Sequence, residues 1–274
     1  MTLCRDVKSD KFRLNKFYID EEGAKGVSYF NCYSGILSLL YYKEYMSFIL
    51  FLAAGLILVP SFAFAWGPMT HMYLGNELLN CAPLIPAGIL ALLKKHRQDF
   101  LYGNLMADII LGKKYLPDDK SSHSWDVGLK LLDQAKTWPE RAFAYGFLGH
   151  LAADTVAHET LITDEMGNMG HTWVELKADS LIDKTYWLQT VMISRTVKKR
   201  SHLLLENSLE RYMFSFNTNK RIYKSMVFLS FLNKKRRRGV DRELIHNLHE
   251  ESLARMLDLL QNGTESEVLR KNPL

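Results

Sequence analysis

The sequence predicts an all-α protein built as a bundle of several helices. Beyond Trp66, apolar residues recur at steps of three and four, which is the spacing of one face of an α-helix. No stretch alternates apolar and polar residues for long enough to indicate a β-strand. Proline, the strongest helix breaker, occurs only seven times in 274 residues. We therefore expect long helices separated by a few short breaks.

A signal peptide is predicted at residues 46–65 (MSFILFLAAGLILVPSFAFA), which contain no charge. The apolar run 48–59 has the length of a signal-peptide core, and Ala-Phe-Ala at 63–65 supplies the small-x-small cleavage pattern. Cleavage would leave Trp66 as the first residue of a secreted or periplasmic protein. The alternative is an uncleaved membrane anchor or a buried core helix, since about twenty apolar residues just span a bilayer. Residues 1–45 lack a useful apolar period, and we interpret them as an upstream extension outside the mature protein.

Processing at this site would change the composition of the protein. Residues 66–274 have a net charge of +4 and keep one cysteine, Cys81. One cysteine cannot form an internal disulfide, so packing or a metal must stabilise the fold. The charge is also uneven, with −5 over residues 66–183, +12 over 184–238 and −3 over 239–274. We expect a catalytic region at 66–183 followed by a basic helical region at 184–274.

The helical pattern of the mature region divides into successive segments. Those with apolar residues at helical spacing are 77–79, 85–96, 98–111, 127–136, 140–161 and 173–183. Pro139 is well placed in the first turn of the longest segment, where a missing N–H costs no hydrogen bond. Pro83, Pro86 and Pro117 mark breaks between segments.

Histidines and acids in this region have a spacing typical of metal sites. His150, Asp154 and His158 are four residues apart, so one helix face carries all three. The same step separates His171 from Glu175. Zinc accepts imidazole and carboxylate ligands, and two such sets within about thirty residues favour a metal site over ordinary structural histidines. The remaining helical histidines lack this spacing, and we interpret them as surface or packing residues: His96, His202, His246 and His249.

Five short motifs occur in a characteristic order along the first half of the mature chain. They are WGPMTH at 66–71, GNLMADII around Asp108, SSHSW around His123, GHLAADTVAHE at 149–159 and HTWVE at 171–175. In this order they resemble the zinc-dependent phospholipase C family, over residues 66 to about 183. The broader superfamily includes the N-terminal domain of glycosylphosphatidylinositol-specific phospholipase D and zinc-dependent single-strand nucleases. The resemblance implies a helical bundle with a multinuclear zinc cleft.

The resemblance also implies which side chains bind the metal. The family's mature N-terminal tryptophan binds zinc through its free α-amino group and carbonyl, which agrees with cleavage before Trp66. The implied ligand sets are Trp66 and His71 with bridging Asp154; Asp108, His123 and His150 with Asp154; and His158, His171 and Glu175.

One spacing departs from the secreted phospholipases and nucleases of the superfamily. They have a longer gap after the helical aspartate, whereas Asp154 and His158 are four residues apart. The shorter gap resembles the phospholipase D N-terminal domain and uncharacterised bacterial relatives. It leaves open the substrate and whether two or three zinc ions bind. Asp179 is an alternative or additional ligand beside Glu175.

Two or three zinc ions suit hydrolysis of a phosphodiester, because a metal pair lowers the pKa of a bridging water and positions it for attack. We expect Asp108 to bind metal and to orient or deprotonate that water; purely structural ligation is the alternative. Tyr102, Trp125 and Trp173 lie near ligands in the sequence, and they either wall an apolar substrate pocket or simply pack.

Basic clusters at 195–200 and 234–238 flank the apolar stretch 225–232. Residues 195–238 could therefore attract an anionic membrane surface or a nucleic-acid backbone, or could form an ordinary solvated helix face. Three function classes follow. The preferred hypothesis is an exported phospholipase C acting on phospholipid head groups, and the others are a zinc-dependent single-strand nuclease and a non-catalytic membrane-associated zinc protein. Few aromatic residues are interleaved with the basic clusters, which disfavours the nuclease.

Overall fold

The structure is a computed structural model. It describes residues 66–109, 121–160, 177–209 and 241–273, together with five positions between 217 and 224. Every regular element in these ranges is helical, so the all-α prediction is confirmed. The α-helices delineated there are α1 (Pro68–Asn80), α2 (Ala87–Lys95), α3 (Arg97–Met106), α4 (Trp125–Gln134), α5 (Trp138–Thr160), α6 (Thr185–Met192), α7 (Arg195–Ser208) and α8 (Arg242–Asn262).

Short polar side chains begin several of these helices. Ser124, Ser194 and Asp241 precede α4, α7 and α8, and each accepts a hydrogen bond from a backbone N–H two or three residues further on. Such a cap satisfies a donor that has no partner inside the helix. At the other end of α8, Gly263 has a φ of 55°, a conformation that glycine adopts without steric cost.

The long helix α5 lies at the centre of the described bundle. It packs against α3, α8 and α4, and it also contacts α1 and α7. Between residues 142 and 157 nearly every side chain is buried, which is typical of a helix surrounded by others. Metal-binding side chains on this helix are therefore held in the core.

Helices α3 and α5 approach each other through two glycines. A β-carbon on Gly103 would collide with the carbonyl oxygen of Phe143, and one on Gly146 would collide with that of Phe100. The two backbones are thus in direct contact at this crossing. The close approach brings the end of α3, and the turn that follows it, next to the middle of α5.

The helices agree with most of the predicted segments. The segments 85–96, 98–111, 127–136 and 140–161 correspond to α2, α3, α4 and α5, and Pro139 lies in the first turn of α5. Helix α1 is longer than the predicted 77–79. Almost every residue in its first half is buried, whether polar or apolar, so the sequence there shows no helical alternation of apolar and polar residues. The extension, the signal peptide and part of 173–183 lie outside the described residues. Within the described part of the chain, no helix is both long and apolar enough to cross a membrane.

Candidate metal centre

Four side chains capable of binding metal meet in the core of the bundle. Asp108 lies in the 3-10 turn after α3, His123 lies just before α4, and His150 and Asp154 lie on α5. One ligand atom from each is within 4.8 Å of all the others, and all four residues are buried. The structure thus brings together the four residues that the resemblance assigns to one zinc.

The nitrogen and oxygen atoms of this cluster converge on one point. His123 Nε2 is 3.2 Å from Asp108 Oδ1 and 3.0 Å from Asp154 Oδ2. His150 Nε2 is 3.1 Å from Asp154 Oδ2 and 3.6 Å from Asp108 Oδ1. The two Nε2 atoms are themselves 3.1 Å apart. Two imidazole nitrogens and two carboxylate oxygens form a donor set that zinc accepts in tetrahedral sites.

A hydrogen bond to the backbone orients His150. Its Nδ1–H donates to the carbonyl oxygen of Asn104, 2.8 Å away, so a neutral ring has its lone pair on Nε2. That lone pair faces the oxygens of Asp154 and Asp108, an arrangement that a cation between them would stabilise. A histidine that donates the N–H of its other ring nitrogen to a carbonyl is a common arrangement around protein-bound zinc. The residues present therefore fit a zinc ion.

Asp154 connects this cluster to a further histidine on α1. While Oδ2 faces His123 and His150, Oδ1 lies 3.1 Å from His71 Nε2. The rings of His71 and His150 are stacked, with centroids 3.7 Å apart. Among the described residues, neither ring nitrogen of the buried His71 has a hydrogen-bond partner of good geometry. A second cation beside His71 would supply that partner, with Asp154 shared between the two positions.

Burial and charge have opposing effects on the pKa values of this cluster. Burial alone would raise the pKa of Asp154, but His150 and His71 hold it well below its usual range. Burial lowers the pKa of His150, and the Asp154 and Asp108 carboxylates outweigh burial and raise it to about 10. For His71, burial and the charge of His150 lower the pKa, despite the neighbouring carboxylates. The two carboxylates thus favour positive charge at the centre, which a divalent cation also supplies.

Trp66 is fully buried beside the same stretch of α5. Its indole N–H donates to the carbonyl oxygen of Ala153 at 3.1 Å, and Ala153 directly precedes Asp154. The ring also lies 4.9 Å from that of His249 on α8. The structure thus places the side chain of the first residue of the expected mature protein against the backbone of the residue that precedes Asp154.

Asp179 caps the start of α1. Its Oδ1 accepts hydrogen bonds from the backbone N–H and the hydroxyl of Thr70, both at 2.8 Å, and its Oδ2 accepts one from the N–H of Met69 at 3.1 Å. A β-carbon on Gly67 would collide with this carboxylate. A negative charge is favourable at a helix N-terminus. The described contacts make Asp179 a cap that positions the helix carrying His71, and its role as an alternative or additional ligand beside Glu175 stays a prediction.

The remaining predicted ligands form the third set. His158 lies one turn beyond Asp154 on α5 and is half-buried. His171 and Glu175 lie outside the described residues, so His158 is the member of this set that the structure places.

Two of the aromatic residues that lie near the ligands in the sequence form hydrogen bonds with other parts of the bundle. The Tyr102 hydroxyl lies 2.6 Å from His202 Nε2, and the Trp125 indole donates to the carbonyl of Lys271 at 2.7 Å. Trp173 lies outside the described residues. A cavity of about 440 Å³ is lined by other residues, among them Tyr73, Tyr186, Ile245 and His249, and neither Tyr102 nor Trp125 is part of its wall.

His249 is interpreted from the sequence as a surface or packing residue because it has no partner at metal-ligand spacing, and the structure shows that it is buried beside Trp66. The sequence signal for its burial was its place among Ile245, Leu248 and Ser252, which recur at helical spacing on the buried face of α8. Burial, with smaller effects of His246 and His71, lowers the pKa of His249 to about 4, so the ring is neutral near pH 7.

A comparison with known protein families agrees with this site. A family model described as zinc dependent phospholipase C matches residues 70–224, which is more than half of the chain. The matched range includes all four residues of the buried cluster and His71. No curated protein and no solved structure matches the chain.

Proposed function

The chain belongs to the zinc-dependent phospholipase C family, and on this premise we propose that it is an exported zinc-dependent hydrolase that cleaves phospholipid head groups. The observation that carries the proposal is the buried cluster of Asp108, His123, His150 and Asp154. Two carboxylates buried beside two imidazoles are expensive unless positive charge compensates them, and a bound cation supplies that charge.

The side chains of this centre would divide the work as follows. Asp108, His123, His150 and Asp154 would hold one zinc ion, and His71 with Trp66 and Asp154 would hold a neighbouring one. Bound zinc would supply Lewis acidity and lower the pKa of a bound water. Asp108 directs Oδ1 to the imidazoles, and we assign its other oxygen to accept a proton from the attacking water. The Asn104 carbonyl keeps His150 in the tautomer that can bind metal.

The choice of a phospholipid substrate rests on the family. We expect the protein to release a phosphorylated head group from phosphatidylcholine and to hydrolyse a chromogenic choline phosphodiester, with both activities lost on zinc chelation and restored by zinc. Single-stranded DNA should be tested in parallel. Cleavage of DNA without cleavage of lipid would assign the site to a nuclease. A zinc-loaded protein that turns over no phosphodiester would instead make the zinc structural.

The Asp108→Asn variant tests the assigned catalytic role. We expect a loss of turnover of at least about a hundredfold, which is typical when a general base is removed. Zinc content must be measured on the same sample, because Asp108 also lies in the ligand cluster. A variant that loses turnover while it keeps zinc supports the proton-accepting role, and equal losses of both indicate ligation alone.

Export is the second part of the proposal. Cleavage before Trp66 would free the α-amino group of a residue whose indole already contacts the carbonyl of Ala153. Intact mass of the exported protein under native conditions would report its N-terminus and its bound zinc together. Replacement of Ala65 by phenylalanine should block cleavage and lower the zinc content. If the unprocessed protein binds as much zinc as the processed one, Trp66 is not a ligand.

A further inference from the structure

Helix α6 presents an apolar face to solvent. Leu188, Val191 and Met192 are 50%, 45% and 73% exposed. Their spacing of three and four residues places them on one side of the helix. The other side packs on α1, where Tyr186 meets Tyr73 with ring centroids 5.6 Å apart. The helix is thus anchored on one side and apolar on the side that meets water.

Basic residues flank this apolar face along the chain. The Lys198 ammonium donates to the carbonyl of Val191 at 3.4 Å, at the C-terminal end of the face. Arg195 and Lys199, in the first turns of α7, are exposed, and Lys184 precedes α6. Among the described positions from 184 to 224, seven residues are Lys or Arg and one, Glu206, is acidic.

One of these cations already has a buried partner, while another belongs to a cluster of like charge. Arg200 forms a bidentate pair with Asp99, at 2.6 and 2.5 Å, and so belongs to the structure of the bundle. Partial burial and the neighbouring charge of Lys224 lower the pKa of Lys198. Lys198 and Lys224 are thus close enough to repel each other. An anionic partner would relieve this repulsion.

We propose that Leu188, Val191 and Met192, with Arg195, Lys198 and Lys199, form a docking surface for an anionic phospholipid bilayer. We name these six residues the α6 surface. Aliphatic side chains enter the interfacial region of a bilayer, and nearby cations bind its anionic head groups. The inference rests on the proposed function, because a phospholipid substrate is presented in a bilayer.

Two further observations favour a bilayer over a nucleic acid. The most exposed side chains of α6 are aliphatic, and they gain little beside a phosphate backbone. Binding of single-stranded nucleic acid uses aromatic side chains for base stacking, but Tyr186 and Trp187 of this helix pack against the core. In addition, α6 packs directly on α1, the helix that carries His71. A bilayer bound at α6 would therefore contact the helix that packs against the one carrying His71.

The experiment measures vesicle binding separately from catalysis. Cosedimentation of the processed protein, which begins at Trp66, with vesicles of phosphatidylcholine and phosphatidylserine should exceed that with phosphatidylcholine alone. Serine at positions 188, 191 and 192 should weaken binding by about tenfold or more, because the apolar contribution is removed. Arg195→Gln with Lys199→Gln should weaken binding several-fold and reduce its salt dependence.

Matched controls carry the same changes on other surfaces. Leu84→Ser alters a side chain that is 56% exposed outside α6, and Lys94→Gln with Lys95→Gln alters exposed cations on α2. Neither control should change vesicle binding. Hydrolysis of a soluble chromogenic phosphodiester should stay the same in the α6 variants.

Three results would overturn the inference. They are wild-type protein that does not bind anionic vesicles, serine variants that bind as wild type does, and binding of single-stranded DNA in place of vesicles. Failure of the proposed function appears differently, as vesicle binding that depends on the α6 surface in a protein with no turnover of the soluble substrate. In that case the docking surface stands and the hydrolase proposal falls.

Discussion

Asp154 uses its two carboxylate oxygens on different partners. Oδ2 faces His123 and His150 from one side, and Oδ1 faces His71 from another. The spacing of His150 and Asp154 was visible in the sequence, because residues four apart share a helix face. The approach of His71 and His123 was implied only by the family resemblance, since no local pattern relates residues so far apart in the chain.

The Asp154→Asn variant tests whether this residue links two metal positions. An amide keeps one oxygen and loses the charge, so bound zinc should fall further than in His71→Gln, which affects one side of the carboxylate alone. The measurement is zinc content after equilibration in buffers of defined free zinc. Equal zinc losses in the two variants would contradict a shared ligand. Unfolding of each variant in the presence of a chelator separates metal loss from misfolding.

Helices α3 and α5 pack closely because each has a glycine where they cross. Gly103 and Gly146 each leave room for a carbonyl oxygen of the opposite helix. The approach also lets the Asn104 carbonyl reach His150. A glycine inside a helical segment ordinarily costs stability, and only the packing of the two helices shows why these positions need one.

Gly103→Ala should therefore destabilise the protein by about 3 kcal/mol, since the added methyl group must force two backbones apart. Gly88→Ala on α2 is the matched control, because nothing lies within 4 Å of a β-carbon there. The control should stabilise the protein by about 0.5–1 kcal/mol through better helix propensity. Chemical denaturation of both variants checks the prediction, and similar effects of the two changes would refute it.

The molecule as a whole extends beyond the part that the family model matches. The match ends at residue 224, yet α8 packs against α5, and Ser252 reaches the carbonyl of Ala153 at 3.5 Å. Arg255 donates to Thr155 at 2.8 Å and to Glu159 at 2.6 Å. The described residues of both regions belong to one compact unit. The C-terminal helix thus covers the same stretch of α5 that carries the metal ligands.

Arg255→Met should lower the free energy of unfolding by about 2 kcal/mol. The change removes hydrogen bonds to Thr155, Glu159 and Glu251 from an arginine that is 8% exposed. Arg270→Met is the control, because the side chains of Arg270 and Glu267 are 79% and 71% exposed and such pairs contribute little. Thermal and chemical unfolding should show a clear loss for the first variant and almost none for the second. A negligible effect at Arg255 would mean that its polar contacts add little to the packing of α8 on α5.

The sequence by itself determined the helical class, the positions of α2 to α5 and one half of the metal cluster. These properties depend on residues within one or two turns of each other, as with the helical period of 140–161 or the step from His150 to Asp154. The ordered motifs added the family, which the family model then matched. The exposed apolar face of α6 was not predicted, because exposure depends on which neighbours pack against a helix.

Only the tertiary structure decided which residues from distant parts of the sequence contact one another. The start of α1 has no local side-chain cap and is held by Asp179, which lies 109 residues from Thr70 along the chain. The same holds for the contact of Trp66 with Ala153, 87 residues away. Contacts at such separations depend on the packing of the whole bundle, and no short-range pattern encodes them. The spacing of Asp179 in the sequence indicated a metal ligand, and only the fold showed that its carboxylate also caps a distant helix.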